Sequence, residues 1–424
     1  MVLLALLLAA APRVERVDVE LSGVRHTKAS AVRRLMSTRD GATLDEETLR
    51  RDVARLRSTG ILYDVEERTV PGLDGARVEL SLKDRWTLLP VFGLRRGGGR
   101  TAARVGISDH NAFGELFSVY GELTSNANVP FLGHGPEDRL GSYVYLRVPR
   151  AFGSRFTPGI YWTREFLDYA RFAPDGRPTF LYDRQRHELR FETRYEITDL
   201  FSASAGVTLS RDGFSQSSLS PSAGAVPDGA RGTWFVLGTQ VGTVEEQIST
   251  LRGTQLELTA AHAVPGVLGS DVSATSFGAT LRSFWVPAPG RNLCAQIVAR
   301  ATTGHSDALL FRAGGLREIR GFPDAFFQGQ QLVHGNLEMR ADVLRTNVLV
   351  PAIGQVAGFT DFGWVGSRAG GVAGLPYSGP VASAGVGLRW IPIPFARAVG
   401  RLDVAVGMYP ERRVDISLGG QQFF

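Results

Sequence analysis

A cation, a flexible residue and an aromatic ring stand side by side at Arg320-Gly321-Phe322. Two acids follow on stretches of alternating polarity, Glu338 within VHGNLEMRADV and Asp361 within GFTDFG. The planar guanidinium of arginine can pair bidentately with one carboxylate while it reaches a second one. Arg320 has the chemistry to bind both acids if the fold brings them together, and Gly321 would allow a loop to approach the wall that carries them.

The same stretches contain no arrangement that predicts catalysis. An arginine between two carboxylates favours their ionised forms, which makes the acids unsuited to proton transfer. The chain has a single cysteine, Cys294, and its seven histidines are dispersed, so neither a thiolate zinc cluster nor a Cys/His pair is expected. No Gly-x-Ser-x-Gly elbow or phosphate-binding glycine loop occurs in the sequence. We expect no catalytic residue, no metal and no cofactor, and hence a protein that is not an enzyme.

The strands that would position these residues are predicted by an alternation of period two that runs through 86–424. The clearest case is 187–197, where Leu189 and Phe191 share one face and Glu188 lies on the other. An outer-membrane barrel alternates in this way, with apolar side chains toward lipid and polar ones toward the lumen. A soluble sandwich also alternates, so the pattern alone leaves both classes open.

Loop lengths and strand number favour the barrel. Long polar connections such as 215–232 occur beside tight turns such as Thr198-Asp199, and long loops on one side with short turns on the other are typical of outer-membrane barrels. No apolar run approaches the ~20 residues that a membrane helix needs. At roughly 20 residues per strand and connection, we predict a mainly β fold whose transmembrane antiparallel β-barrel has about 16 strands.

The first part of the chain has a different pattern. A strand, a short helix that we expect Thr27 to cap, an amphipathic helix at 44–58, and two strands at 62–69 and 76–82 follow one another. This order predicts one small α/β domain, β-α-α-β-β, over residues 14–84.

The N-terminus and the net charge bear on location. Residues 1–11 read MVLLALLLAAA, an apolar stretch ending in small residues, which predicts an export signal peptide. The formal net charge is +5. The arginines are scattered at strand spacing rather than clustered, which argues against nucleic-acid binding and favours lumenal ion pairs and contacts with lipopolysaccharide.

The stretches LSGVRHTKASAVRRLM, LDEETLRRDVARLRSTGILYDVEE and ARVELSLKD resemble a polypeptide-transport-associated (POTRA) domain. The later motifs resemble the BamA/TamA superfamily of outer-membrane assembly factors and bacterial surface antigens, to which the FhaC-type secretion pores are related. The resemblance implies that the loop carrying Arg320 folds back into the lumen, where Arg320 meets Asp361 and the further acid Glu338. In that position Phe322 could pack against Phe359. The implied loop latch consists of Arg320, Gly321, Phe322, Glu338, Phe359, Asp361 and Gly363.

The end of the chain resembles the signal that barrel-assembly machinery reads. Ile416 and Leu418 alternate with polar residues, and Phe424 is a terminal aromatic. In BamA-type barrels the first and last strands seal weakly, and Gly419-Gly420 would favour this because glycine weakens a strand interior. A weak seam would expose an edge on which another strand can pair.

These features lead to one functional expectation and two alternatives. We expect an outer-membrane protein, with its barrel at 86–424 and its POTRA domain in the periplasm, that assists insertion, assembly or translocation of polypeptides. The expected partners are outer-membrane lipids, lipopolysaccharide, and client polypeptides or periplasmic proteins bound by the POTRA domain; nucleic acid is not expected. The alternatives are a two-partner secretion pore of the FhaC type and a passive porin or structural surface antigen.

Overall fold

The protein consists of a small α/β unit followed by a closed β-barrel. The computed structural model describes residues 12–97, 100–127, 140–151, 154–172, 178–216, 220, 224–304, 306–315, 318–322, 326–348, 350–366, 379–395, 399–410 and 412–420. The predicted signal peptide at 1–11 lies outside these described residues.

The α/β unit has the predicted element order β-α-α-β-β. Its elements are β1 (Val14–Gly23), α1 (Ala29–Leu35), α2 (Glu46–Ser58), β2 (Leu62–Pro71) and β3 (Ala76–Asp84). The sheet order is β1-β3-β2, with β1 parallel and β2 antiparallel to the central strand. Helix α2 starts at Asp45, whose carboxylate caps the first turn. No helix in the described part of the chain is long and apolar enough to span a membrane.

Helix α1 is not capped by Thr27, contrary to the sequence-based expectation. Its N-cap is Lys28, which makes no side-chain cap hydrogen bond. The hydroxyl of Thr27 instead donates to the Asp84 carboxylate at 2.9 Å. The same carboxylate accepts the backbone N–H groups of Arg25, His26 and Thr27. Because these donors converge on an acid at the end of β3, Thr27 is drawn toward the sheet and away from the helix.

The remaining strands follow in chain order. They are β4 (Leu88–Gly97), β5 (Arg100–Ala112), β6 (Phe117–Ala127), β7 (Leu140–Arg147), β8 (Phe156–Phe172), β9 (Pro178–Glu196), β10 (Phe201–Gln216), β11 (Ala230–Glu246), β12 (Leu251–Ala263), β13 (Ala274–Ala288), β14 (Arg291–Thr302), β15 (Phe311–Ala313), β16 (Phe327–Gly329), β17 (Gln331–Thr346), β18 (Ala352–Gly366), β19 (Gly379–Pro392), β20 (Gly400–Tyr409) and β21 (Arg413–Gly420). Within the described residues, single 3-10 turns lie at Val267–Gly269 and Asp307–Leu309.

Sixteen strands, β4–β14 and β17–β21, close into one barrel, which confirms the predicted fold class and strand number. Alternation decides what each face carries. Exposed apolar side chains such as Leu237 (64% exposed) and Phe362 (48% exposed) lie on the outer face. Charged pairs such as Glu188 with Arg190 lie on the inner face.

The long connection between β14 and β17 packs inside the barrel rather than extending away from it. Its two short strands, β15 and β16, pair with each other. Ile319, Arg320 and Phe322 are each 0% exposed. The loop and the wall share an apolar cluster made of Ala313, Ile319, Phe322, Phe326, Phe327, Leu332, Val365 and Val381. This packing brings the loop arginine against the inner wall.

Candidate functional site

Arg320 lies between two acids of the inner wall. Its Nε donates to Asp361 Oδ2 at 2.8 Å and its Nη2 donates to Asp361 Oδ1 at 2.6 Å, a bidentate pair. Its Nη1 donates to Glu338 Oε2 at 2.6 Å. The backbone N–H of Arg320 also donates to Asp361 Oδ2 at 3.0 Å. Asp361 therefore holds the loop backbone as well as the side chain.

Strand register explains why the two acids meet one guanidinium. In the antiparallel pair of β17 with β18, Asn336 stands opposite Asp361 and Glu338 stands opposite Phe359. Asn336 and Glu338 are two residues apart and thus project to the same face. The Nδ2 of Asn336 donates to Asp361 Oδ1 at 2.9 Å and to the carbonyl of Glu318 at 2.7 Å, which adds a neutral anchor between wall and loop.

Further charged residues extend the contact around the wall, and the sequence analysis missed them. Glu338 Oε1 accepts the Nε of Arg340 at 2.7 Å, and both Glu338 oxygens accept the Nη2 of Arg389 at 3.1 Å. Arg389 and Arg401 both donate to Asp403. A signal existed, because period-two alternation places Arg340 of β17, and the charged residues of β19 and β20, on the inner face. The distance of Arg389, Arg401 and Asp403 along the chain from Arg320 concealed their connection with it.

The aromatic residues near the arginine have separate roles. Phe359 lies beneath the guanidinium, with Arg320 Cζ 3.4 Å from the ring centroid, a cation–π contact. The ring of Phe322 packs on Phe326 and Phe327, with centroids 5.8 and 5.0 Å apart. Phe322 was predicted to pack on Phe359. Instead, Phe322 packs on aromatic residues of its own loop, and Phe359 lies under the cation.

Glycines at the contact allow the backbones to approach closely. Gly321 has φ +86°, and a Cβ there would lie 2.7 Å from the backbone nitrogen of Gly407 on β20. A Cβ on Gly363 would lie 2.7 Å from the carbonyl of Val333 and 3.2 Å from Ile319 Cδ1. Any larger residue at position 321 would push the loop off the wall and also strain the backbone.

The last strand, β21, closes the barrel against its first strand, β4. Among the described residues, β21 pairs with β4 at one register position, Leu418 opposite Arg96. On its other side, β21 pairs with β20 continuously, from Gly400 opposite Gly420 to Gly407 opposite Arg413. Ile416 is 61% exposed and Leu418 is 46% exposed, both on the outer face. Phe424 of the predicted C-terminal signal lies outside the described residues.

The α/β unit is held against one part of the barrel rim. Arg150, in the connection from β7 to β8, is 4% exposed. Its Nη1 donates to the carbonyls of Leu35 and Met36, at the C-terminal end of α1, at 2.8 and 3.1 Å. Its Nε donates to Glu196 on β9 at 2.8 Å. At the next turn, Asp199 accepts from Arg55 of α2.

The turn between β5 and β6 forms a second contact. Leu116 belongs to the hydrophobic core of the α/β unit. The backbone N–H of Lys28 donates to the carbonyl of Gly114 at 2.9 Å. Glu115 pairs with Arg34 at 2.8 Å and with Lys28 at 2.9 Å. Hydrogen bonds from Arg34 and Lys28 hold the pKa of Glu115 below its ordinary value.

Comparison with protein families gives two matches. The POTRA model, described as a surface antigen variable number repeat, matches residues 12–83. The Omp85 superfamily domain matches residues 151–421. A search of the curated proteins finds no match to the chain.

Three solved structures share the architecture. BamA from Haemophilus ducreyi lacking POTRA domains 1-3 is 17% identical, with 96% of this chain and 84% of that chain covered and a TM-score of 0.54. CdiB from Escherichia coli is 12% identical, with 97% and 77% covered and a TM-score of 0.66. CdiB from Acinetobacter baumannii is 12% identical, with 97% and 74% covered and a TM-score of 0.62. At these identities the likeness concerns the fold.

Proposed function

The chain belongs to the Omp85 superfamily, and from that premise we propose that it assists the insertion of other polypeptides into the outer membrane through the seam between β21 and β4. The observation that supports this proposal is a contrast within the described residues, where the seam has one register pair and β21 pairs continuously with β20. Backbone N–H and C=O groups that a barrel neighbour does not use can pair with an incoming strand. The seam is thus the edge at which a client strand would add.

The Arg320 contact has a mechanical role in this proposal. Glu338 lies on β17, Asp361 on β18 and Asp403 on β20, and Arg320 reaches the first two directly and lies 3.8 Å from the third. By tying these strands to one loop, the latch would stiffen the wall beside the seam. Opening would then be confined to the junction of β21 with β4 instead of spreading through the neighbouring strands.

The POTRA domain would receive the client or a periplasmic partner. Strand β2 is at one edge of its sheet, since the order is β1-β3-β2. An extended peptide can add to such an edge through main-chain hydrogen bonds. The arginines of the outer rim would contact lipopolysaccharide phosphates, and the apolar outer face would contact lipid.

A disulfide across the seam tests the proposal. The variant Arg96→Cys/Leu418→Cys, in a Cys294→Ala background, joins the register pair of the seam. The matched control is Leu402→Cys/Leu418→Cys, which shares one cysteine and joins β20 to β21, where Leu402 stands opposite Leu418. The assay is insertion of an unfolded outer-membrane barrel into liposomes that contain the purified protein.

We expect the oxidised seam variant to lose insertion activity and to regain it on reduction, while the control stays active in both states. Full activity of the oxidised seam variant would refute the role of the seam. A steady single-channel conductance that needs no client, together with no insertion activity of the unmodified protein, would favour the passive porin.

A further inference from the structure

Four tyrosines form a continuous aromatic surface on the inner wall. Tyr120 on β6 stands opposite Tyr145 on β7, which stands opposite Tyr161 on β8. Tyr143 lies two residues from Tyr145 on the same face. These four, which we call the tyrosine arc, are four of the ten tyrosines of the chain. Because these tyrosines are concentrated on three adjacent strands, this part of the wall is aromatic, whereas the inner face of the neighbouring β9 carries ion pairs.

The rings of the tyrosine arc hold one another in place. Tyr120 and Tyr145 are stacked with centroids 5.5 Å apart, and Tyr145 and Tyr161 are 5.8 Å apart. Tyr143 is 5.7 Å from both Tyr120 and Tyr145. The hydroxyl of Tyr120 donates to Glu122. Tyr120 is buried, whereas the other three are half-buried, so ring surface remains available in a fixed arrangement that a ligand need not order.

The charges around the tyrosine arc balance in sign. Arg190 lies with its Cζ 5.9 Å from the ring of Tyr161 and pairs with Glu188 at 2.7 Å. Arg104 and Glu122 lie 3.7 Å apart at the other end. A surface with paired charges does not select ions of one sign. It suits a neutral or mixed-charge ligand that offers apolar groups and hydrogen-bonding groups together.

The tyrosine arc lies near the POTRA domain and away from the latch. In the order of the sixteen strands, β7 is diametrically opposite β17, which carries Glu338. Strand β6 begins at Phe117, just after the turn whose Leu116 is part of the POTRA core. The inner surface from this docked turn to Tyr120 is therefore short and continuous. A chain leaving the POTRA domain on this side would meet the tyrosine arc first.

We propose that the tyrosine arc is an entry site that binds an extended, unfolded segment of a client polypeptide as it passes from the POTRA domain into the barrel. Tyrosine rings bury apolar side chains of any sequence at little entropic cost, and their hydroxyls hydrogen-bond to peptide groups. Sequence-tolerant binding is what a protein that handles many unfolded segments needs. This inference rests on the proposed function, because it assumes that the client is a polypeptide.

Photo-crosslinking to a defined peptide tests the proposal. The full chain is placed in lipid nanodiscs and irradiated with a soluble, unstructured, mixed-charge synthetic peptide that carries a central p-benzoylphenylalanine. Crosslinked residues are mapped by mass spectrometry, and the yield is measured against peptide concentration. The variants are Tyr143→Ala/Tyr145→Ala/Tyr161→Ala and the corresponding triple phenylalanine variant. The matched single variants are Tyr161→Ala and Tyr195→Ala, since Tyr195 also packs against a neighbouring ring in a tilted arrangement but faces outward.

We expect crosslinks on the inner face of β6–β8 and a dissociation constant raised about tenfold in the triple alanine variant, equal to ~1.4 kcal/mol. The phenylalanine variant should retain most of the affinity, and Tyr195→Ala should match the unmodified protein. An unchanged dissociation constant in a triple alanine variant that keeps its heat-modifiable gel mobility would overturn the proposal. So would displacement of the peptide by maltohexaose as efficient as by unlabelled peptide, which would indicate a glycan site. Liposome insertion measured on the same preparations reports separately on the proposed function.

Discussion

The barrel holds two appended segments in different ways. The loop that carries Arg320 is fixed inside the wall by side chains with no exposure, since Arg320, Glu338 and Asp361 are each 0% exposed. The POTRA domain is fixed beneath the rim by contacts of mixed exposure. The side chains of Lys28 and Glu115 are 54% and 23% exposed.

The difference in burial predicts a difference in strength. A charge in a dry site depends on every partner, because a partner that is removed leaves an uncompensated ion away from water. A half-exposed ion pair exchanges its partner for water at small cost. The loop is therefore held as one unit with the wall, whereas the POTRA domain is held by several contacts of unequal strength. The contact made by Arg150 is the strongest of these, because its side chain is buried and donates hydrogen bonds to Leu35, Met36 and Glu196.

The largest effect is expected for Arg320→Ala. Removing the guanidinium leaves Asp361 without its charged partner in a dry site, whereas Glu338 keeps Arg340 and Arg389. The loss should destabilise the loop and wall by about 3–5 kcal/mol. The measurement is the temperature at which the folded form is lost in semi-native gels. Arg345→Ala is the matched control, since Arg345 is an exposed arginine on the same strand as Glu338. Loss of the folded form at the same temperature in the two variants would refute the latch.

A middle-sized effect is expected for Arg150→Ala. The change leaves the carbonyl of Met36 without its charged donor, while the carbonyl of Leu35 keeps the Nη1 of Arg55 at 2.9 Å. Hydrogen bonds to charged groups contribute about 1.5–3 kcal/mol each. The distance distribution between spin labels at exposed positions 73 and 268, in a Cys294→Ala background, should broaden. The melting of the barrel in semi-native gels should stay unchanged.

The control for this prediction is Arg155→Ala. Arg155 lies in the same connection and donates to the carbonyl of Ile197 from an exposed position. A loss of barrel melting in Arg150→Ala as large as in Arg320→Ala would remove the distinction between the two attachments.

Alternation predicted the barrel because a period of two is visible without knowledge of strand register, and the resemblance of the loop and strand motifs to a family identified the acids around Arg320. The charges of Glu338 and Asp361 lie on the polar parity of their stretches, and a short loop motif precedes them. Arg389 and Asp403 were missed because their role depends on which strand neighbours which, and alternation carries no information about pairing partners.

The rim contacts were harder still to predict. Asn111, Glu115 and Arg150 lie in or beside tight turns, where contact depends on backbone direction rather than on residue type. Asn111 is 0% exposed and donates to Thr27 of the POTRA domain, and nothing in its local sequence indicates a distant partner. The mistaken cap at Thr27 has the same origin, because Asp84 competes for that residue from the far end of β3.

The smallest effect is expected from pH, through Glu115. Because its folded-state pKa is lowered, its pairs with Arg34 and Lys28 stabilise docking above the unfolded-state pKa of about 4.3. This contribution is lost as pH falls through the lower folded-state value. A half-exposed pair contributes ~0–1 kcal/mol, so the spin-label distances should broaden only slightly at low pH. In Glu115→Gln that broadening should already be present at pH 7 and change little with acid. A large acid-induced change that persists in Glu115→Gln would mean that docking at the rim depends on another carboxylate. Glu196, which pairs with Arg150, would then be the next residue to replace.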